Sequence, residues 1–361
     1  MMKDNSVYVI AEAGVNHNGS LELALKLVEA AKNSGADAVK FQSFNAELLV
    51  SRSAKKAEYQ QARTDSVESQ LEMLRRLELS EDDHEQIISY CNKLGIAFLS
   101  SPFDLPSLEL LVKRFQLTKL KLGSGEITNA PLLLEIGRSG CALILSTGMS
   151  TLDEVREALA VLAFGYLASS ETPAIERFKE AFSASAGQAL LREKLTLLHC
   201  TTEYPAPYAD INLKAMDSLK NEFALPVGYS DHSEGLAITL AAVARGASVI
   251  EKHFTLDRNL PGPDHKASLE PDGLKLMVEG IRQIEAGLGD GVKRLMPSEL
   301  KNREVARKSL VTQKPVKKGE VFNEANLVVK RPGGGVAPIH YWQWLGRVAE
   351  RDYEADEVIV E

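Results

Sequence analysis

Short apolar runs alternate with amphipathic stretches from the N-terminus to about residue 290. The runs are VYVIAEAG (7–14), AVKFQS (38–43), IAFLSSP (96–102), KLKLGSGE (119–126), ALILSTGM (142–149), LTLLHCT (195–201), LPVGYSDHS (225–233) and VIEKHFTLD (249–257). Each is short, apolar and bounded by turn residues, so each predicts a strand. Between them the apolar positions fall at helical spacing. LELALKLVEAAKNSGAD sets Leu21, Leu25, Val28 and Ala31 on one face, and Gly35 predicts the stop. SLELLVKRF, PLLLEIGRSG and TLDEVREALAVLA follow the same rule, and Thr151 with Glu154 predicts a capping box at the start of the last.

Strands that alternate with helices imply a parallel sheet. Eight such units in about 290 residues predict a closed (β/α)8 TIM barrel, of class α/β, rather than an open doubly wound sheet. No GxGxxG follows the first run, which weakens a nucleotide-binding alternative.

Two stretches break the rhythm. Residues 44–82 are polar and partly helical in pattern, and residues 163–194 mix aromatic with charged positions. Segments this long in a compact barrel are expected to be functional lids or interface elements. After residue 288 the pattern changes. Residues 289–305 are expected to link residues 1–288, the barrel, to residues 306–361, a small β-rich module. That module carries short runs (KSLVTQKPVKKGEVF, NLVVKRPGGG, ADEVIVE) set between Gly, Pro and Asn turns. At about 55 residues it is near the lower limit for folding alone.

Composition narrows the partners. The formal charge is −8 with no basic stripe, which argues against nucleic acid. No apolar run approaches the roughly 20 residues of a bilayer span, and no export signal is visible, so no membrane partner and a cytoplasmic location are expected. Cys91, Cys141 and Cys200 are far apart and flanked by apolar residues, as reduced core cysteines are.

In a TIM barrel the active site lies at the C-terminal ends of the strands. Here all eight runs end in polar residues. In chain order these are Glu12; Lys40 and Gln42; Ser100 and Ser101; Lys121, Ser124 and Glu126; Ser146 and Thr147; His199, Thr201, Thr202 and Tyr204; Ser230, Asp231 and His232; and Glu251, Lys252 and His253. Lys40 and Lys121 near Ser124 and Ser146 predict a site for a phosphate or carboxylate, because buried ammonium groups are costly unless paired. His232 and His253, on adjacent strands beside Asp231 and Glu251, suit a shared divalent ion such as Mn2+, Zn2+ or Co2+. His17, His199 and His265 compete for that role, and core histidines are the alternative.

AEAGVNHNG, AVKFQSF, KLGSGE, LSTGM, HCTTEYPAP, GYSDHS, EKHFTLD, PGPDH and VKRPGGG occur in this order. Together they resemble the sialic-acid synthase family, over about residues 7–355. That family includes N-acetylneuraminate synthases and related nonulosonate synthases such as legionaminate synthase. The resemblance implies a TIM barrel followed by an antifreeze-like (SAF) domain. It also implies a domain-swapped homodimer in which the small domain of one chain covers the barrel mouth of the other. The implied reaction joins phosphoenolpyruvate to an N-acetylated amino sugar with C–O cleavage and release of phosphate. N-acetylmannosamine is the expected sugar, and a 2,4-diacetamido-trideoxy hexose, giving N,N'-diacetyllegionaminate, is the alternative.

Carried onto this sequence, the resemblance makes Glu12 and Glu126 the acid–base carboxylates and His232 and His253 the metal ligands. Lys40, Lys121, Ser124, Ser146, Thr202 and Ser230 would bind phosphoenolpyruvate; Thr202 stands where some members carry asparagine. Gln42, Tyr204, Asp264 and Arg331 would bind the amino sugar. The divalent metal would be Mn2+ first, with Mg2+ or Co2+ as substitutes. A Schiff-base aldolase using Lys40, Lys121 or Lys252 is a rival reading that needs no metal. A non-enzymatic reading, with the C-terminal module as a binding domain, leaves the polar strand ends unexplained.

Overall fold

The computed structural model describes residues 6–56, 68–168 and 170–360. Eight parallel strands form the predicted sheet: β1 Tyr8–Gly14, β2 Ala38–Ser43, β3 Ala97–Pro102, β4 Lys119–Leu122, β5 Ala142–Ser146, β6 Leu195–His199, β7 Val227–Asp231 and β8 Val249–His253. Their order is β3-β2-β1-β8-β7-β6-β5-β4, and β3 also packs beside β4, which brings the sheet round into a barrel. Each strand lies within its predicted run. Several end earlier, because the polar C-terminal residues of the runs leave the ladder and turn over the mouth.

Helices cover the outside. The first, Leu21–Asn33, buries Ala24, Leu27, Val28 and Ala31, one turn-spaced stripe. It ends where predicted, at Gly35, whose φ of +82° a residue with a Cβ rarely adopts. Thr151 and Glu154 form the predicted capping box of the helix Leu152–Tyr166. SLELLVKRF is less regular: a helix Leu105–Glu109 runs into a wider turn, Leu110–Arg114.

The two irregular segments have different fates. Within 44–82, short helices form at Ala46–Leu49 and Gln70–Leu77, and residues 57–67 lie outside the described residues. Residues 163–194 form no lid. The helix Leu152–Tyr166 extends into them, and two more, Ile175–Ser183 and Ser185–Lys194, pack against its outer side, with Phe164 and Phe178 edge to face at 5.2 Å. The aromatic residues that interrupt the pattern there are the contacts of this added layer.

The chain divides into two units, Met1–Gly289 and Asp290–Glu361. The expected linker 289–305 is largely structured: a helix spans Leu300–Ala306, and the Glu304 carbonyl accepts from the Gly333 amide at 2.8 Å, within the second unit. There β9 Ser309–Thr312 pairs antiparallel with β10 Leu327–Lys330. The remaining β-like runs join only through isolated bridges, such as Val311 with Val358 and Val316 with Tyr353. Leu310, Val316, Phe322, Leu327, Trp344, Tyr353 and Ile359 give this unit its own core.

Candidate active site

Side chains alternate across a strand, so residues two apart face the same way. In the barrel, Ile10, Ala38, Leu99, Ile144, Leu198 and Val249 form one buried apolar layer inside the ring. Two residues further along the same strands stand Glu12, Lys40, Ser101, Ser146, Cys200 and Glu251. The second layer is therefore inward by the same alternation, and it is polar. One more step brings Gln42 and His253. The intervening positions, Val9, Ala11, Val39 and Phe41 among them, pack outward against the helices.

Of the inward polar residues, Glu12, Lys40, Gln42, Ser101, Ser146, Glu251 and His253 line a cavity of about 240 Å³ at the C-terminal end of the strands. Register brings their charges together: Glu12 stands opposite both Lys40 on β2 and His253 on β8, and Ser230 stands opposite Glu251. Lys40 Nζ lies 2.6 Å from Glu12 Oε2 and 3.7 Å from Glu251 Oε2, and it donates to Ser101 Oγ at 3.2 Å. Lys121 Nζ lies 3.2 Å from Glu251 Oε1, which also accepts from Ser230 Oγ at 2.8 Å. Two buried ammonium groups thus face two buried carboxylates, with Glu251 between the lysines.

Burial pushes the Glu12 carboxyl up to about 7, against the pull of Lys40. Burial also opposes charge on Glu251, but Lys121, Lys40 and the Ser230 hydroxyl outweigh it and hold that carboxyl below the ordinary range. For Lys40, Glu12 and Glu251 outweigh burial and raise its pKa. An ammonium held in its protonated form is a poor Schiff-base nucleophile. Lys252 faces the opposite way. It is fully buried outside the ring, donating to Asp231 Oδ2 at 2.9 Å and to the Ser233 carbonyl at 2.6 Å. Neither lysine supports the aldolase reading.

Beside the lysines, Ser146 Oγ and Thr202 Oγ1 are buried without a protein partner, and both line the cavity. Ser124 Oγ accepts from the Gly148 amide at 2.9 Å and lies 3.1 Å from Cys200 Sγ. Two lysines and two unsatisfied hydroxyls make a cradle for a small polyanion. Gly148 keeps it open, because a Cβ there would lie 2.4 Å from Thr202 Oγ1 and 2.8 Å from Ser124 Oγ. Gly148→Ala is therefore expected to displace both hydroxyls and raise the KM for the anionic substrate about 10-fold or more in steady-state assays, with an unchanged far-UV spectrum.

His232 and His253 meet at the rim with ring centroids 5.7 Å apart. The Tyr204 ring lies 4.3 Å from His232 and 5.5 Å from His253. His232 Nδ1 pairs with the Thr201 carbonyl at 2.6 Å, which fixes the hydrogen there and leaves Nε2 with its lone pair. His253 Nδ1 is buried without a partner. Burial lowers the His232 pKa to about 4; burial, together with His232, lowers that of His253 well below its ordinary value. Both rings are neutral bases at pH 7, the form that binds metal.

The competing histidines are engaged elsewhere: His199 with the Ile211 carbonyl, His265 with Thr255, and His17 Nδ1 with the Gly19 amide. Among the described residues no set of three or more His, Cys, Asp or Glu converges as a closed metal cage. The two imidazoles fit an ion that keeps several positions open.

Gln42, Tyr204 and Asp264 also line the cavity. Glu126 does not. β4 ends at Leu122, a tight helical turn Ser124–Glu126 follows, and the strand alternation is lost; Glu126 Oε2 instead accepts from Asn129 at 2.7 Å. Glu251, which the sequence marks only as a polar strand end beside His253 and to which it assigns no role, takes the central place. Its signal was its position two residues before His253. Arg331 is an exposed residue of the second unit.

A model of the NeuB family matches residues 27–293. The chain belongs to the NeuB family. The SAF-domain model matches residues 307–361 of this NeuB-family chain. It is 52% identical to a Campylobacter jejuni N,N'-diacetyllegionaminic acid synthase, across 98% of both chains. It is 46% identical to the Legionella pneumophila N,N'-diacetyllegionaminic acid synthase, over 92% of this chain and 87% of that one. The crystal structure of an N-acetylneuraminic acid synthetase from Leptospira borgpetersenii, in complex with citrate, superposes with a TM-score of 0.66 at 34% identity, covering 82% of this chain and 90% of that one. This NeuB-family chain is an enzyme of the nonulosonate-synthase type, which condenses phosphoenolpyruvate with an amino sugar.

Proposed function

We propose that this chain is an N,N'-diacetyllegionaminate synthase that condenses phosphoenolpyruvate, a 2,4-diacetamido-6-deoxy hexose and water, releasing phosphate. The reaction reading rests on one observation: two buried lysines and two unpartnered hydroxyls lie next to two neutral imidazoles in a single cavity. The sugar reading rests on similarity. The two relatives at 52% and 46% identity carry the diacetyllegionaminic name, while the sialic-acid enzyme from Leptospira stands at 34%. This favours the diacetamido sugar over N-acetylmannosamine.

In this reaction C3 of phosphoenolpyruvate adds to the aldehyde carbon of the open-chain sugar. Water adds at C2, and phosphate departs with the bridging oxygen. The two protons of that water end on the new hydroxyl and on phosphate. Lys40 and Lys121 hold the phosphate and carboxylate and offset the charge that grows as phosphate leaves. Ser124, Ser146, Thr202 and Ser230 orient the same anion by hydrogen bonds. Glu12, beside Lys40 and with a carboxyl near neutrality, is the group placed to take a proton from the water and return one. His232 and His253 would hold a divalent ion, Mn2+ first, that polarises the aldehyde when bound. Gln42, Tyr204 and Asp264 take the sugar, and Arg331 of a second copy of the chain is assigned to an N-acetyl group at the mouth.

Phosphate release measured with both sugars side by side tests the reading. The expected result is a kcat/KM at least about 10-fold higher with the diacetamido sugar, a difference of one decade in transition-state binding. Equal or better use of N-acetylmannosamine would overturn it.

A further inference from the structure

One flank of the cavity is unlike the rest. Val15, Met73, Leu74, Leu77 and Phe103 all line it, and none carries a hydrogen-bonding side chain. With Phe44 they form a separate small apolar cluster between the end of β1, the helix Gln70–Leu77 and the residue that follows β3. Met73 and Leu77 are buried, while Leu74 and Phe103 are partly open. The opposite flank is polar, with Tyr204, Asp264 and the two histidines. A sugar hydroxyl placed against an apolar face loses its water and gains no donor or acceptor there. An apolar wall is therefore a statement about which part of the ligand meets it.

The chemistry fixes the orientation. The deep end holds phosphoenolpyruvate against Lys40 and Lys121, and the aldehyde carbon must lie next to it. The far carbons of the sugar then extend toward the mouth, where the wall stands. We propose that this wall is the specificity determinant for a 6-deoxy sugar: it packs on the C6 methyl group and rejects a hydroxymethyl at the same place. A methyl gains by leaving water. A hydroxyl set against Met73, Leu74, Leu77 and Phe103 gives up its water and finds no partner. Discrimination against an added hydroxyl in an apolar pocket is about 100-fold at best, so 10- to 100-fold in kcat/KM is expected.

This inference rests on the nonulosonate reading of the site and deepens its sugar half. Four hexosamines separate the two questions: C4 hydroxyl or acetamido, each combined with C6 hydroxymethyl or methyl. The C4 comparison tests the assignment of the diacetamido substrate, and the C6 comparison tests the wall within whichever C4 series turns over. The wild-type enzyme is expected to prefer the 6-methyl sugar by about 10- to 100-fold. Leu74→Gln, which offers a partner from a partly open position, is expected to shrink that preference below about 3-fold by raising turnover of the 6-hydroxy sugar and lowering that of the 6-methyl sugar. Phe103→Tyr is a second variant that keeps the ring and adds only a hydroxyl, and the same direction is expected. The KM for phosphoenolpyruvate, set by the deep lysines, reports on a folded site. A wild-type preference of less than twofold in the active series, or one that survives both variants, would overturn the proposal.

Discussion

Glu251→Gln is expected to destabilise the free enzyme by about 3–5 kcal/mol, the cost of breaking a buried ion pair on one side. The substitution keeps the shape and removes the charge between Lys40 and Lys121. Lys40 retains Glu12 at 2.6 Å, but Lys121 loses the carboxylate with which it pairs. A dianionic ligand can replace what is missing. Phosphoenolpyruvate should therefore bind the variant more tightly and raise its thermal midpoint more than that of the wild type, because a ligand that binds only the folded state adds stability as the logarithm of one plus its concentration over Kd. Turnover should nonetheless fall about 100-fold, since Glu251 fixes where both ammonium groups stand. Thermal melts with and without phosphoenolpyruvate, beside steady-state rates, check each part. A variant as stable as wild type that gains nothing from the ligand would contradict the assigned charge balance.

Loss of an imidazole at the rim is expected to cost still more activity. His253→Ala and His232→Ala should each lower kcat about 1,000-fold, the equivalent of roughly 4 kcal/mol of transition-state stabilisation. Chelation with EDTA should reproduce that loss in the wild type, and added Mn2+ should restore it. In either variant EDTA should have little left to remove. Folding is a separate matter: the His253 ring has a buried nitrogen with no protein partner, so its removal forfeits no hydrogen bond at that atom. Full activity after exhaustive chelation would remove the ion from the reaction, while leaving the anion cradle intact.

The barrel was legible because strand and helix have different periods, and each of the eight runs contains its observed strand. The polar residues at their ends pointed to one cavity for the same reason that TIM barrels place active sites there. What was not legible has physical causes. Glu126 reads as a continuation of β4, yet Gly123 follows the strand and the chain turns at Ser124, so a carboxylate four residues past Leu122 faces elsewhere. Glu251 reads as an ordinary charged neighbour of His253 unless the two-residue alternation is followed inward. The added helices of 163–194 read as a loop because they bury little, only Ala181, Gly187 and Leu191; they cover a helix that already covers the sheet. The helix Leu300–Ala306 sits in a stretch too polar to signal burial, and all its residues are exposed.

β8 carries two ionic systems back to back: Glu251 and His253 look into the ring, and between them Lys252 looks out to Asp231. Gaining or losing a single residue inside that strand would exchange them, sending an ammonium into the cavity and a carboxylate and an imidazole into the oily shell. The loops that connect the strands can therefore absorb a change in chain length, whereas β8 cannot. Deleting one residue of β8 is expected to remove the cavity charges and the Lys252–Asp231 pair together.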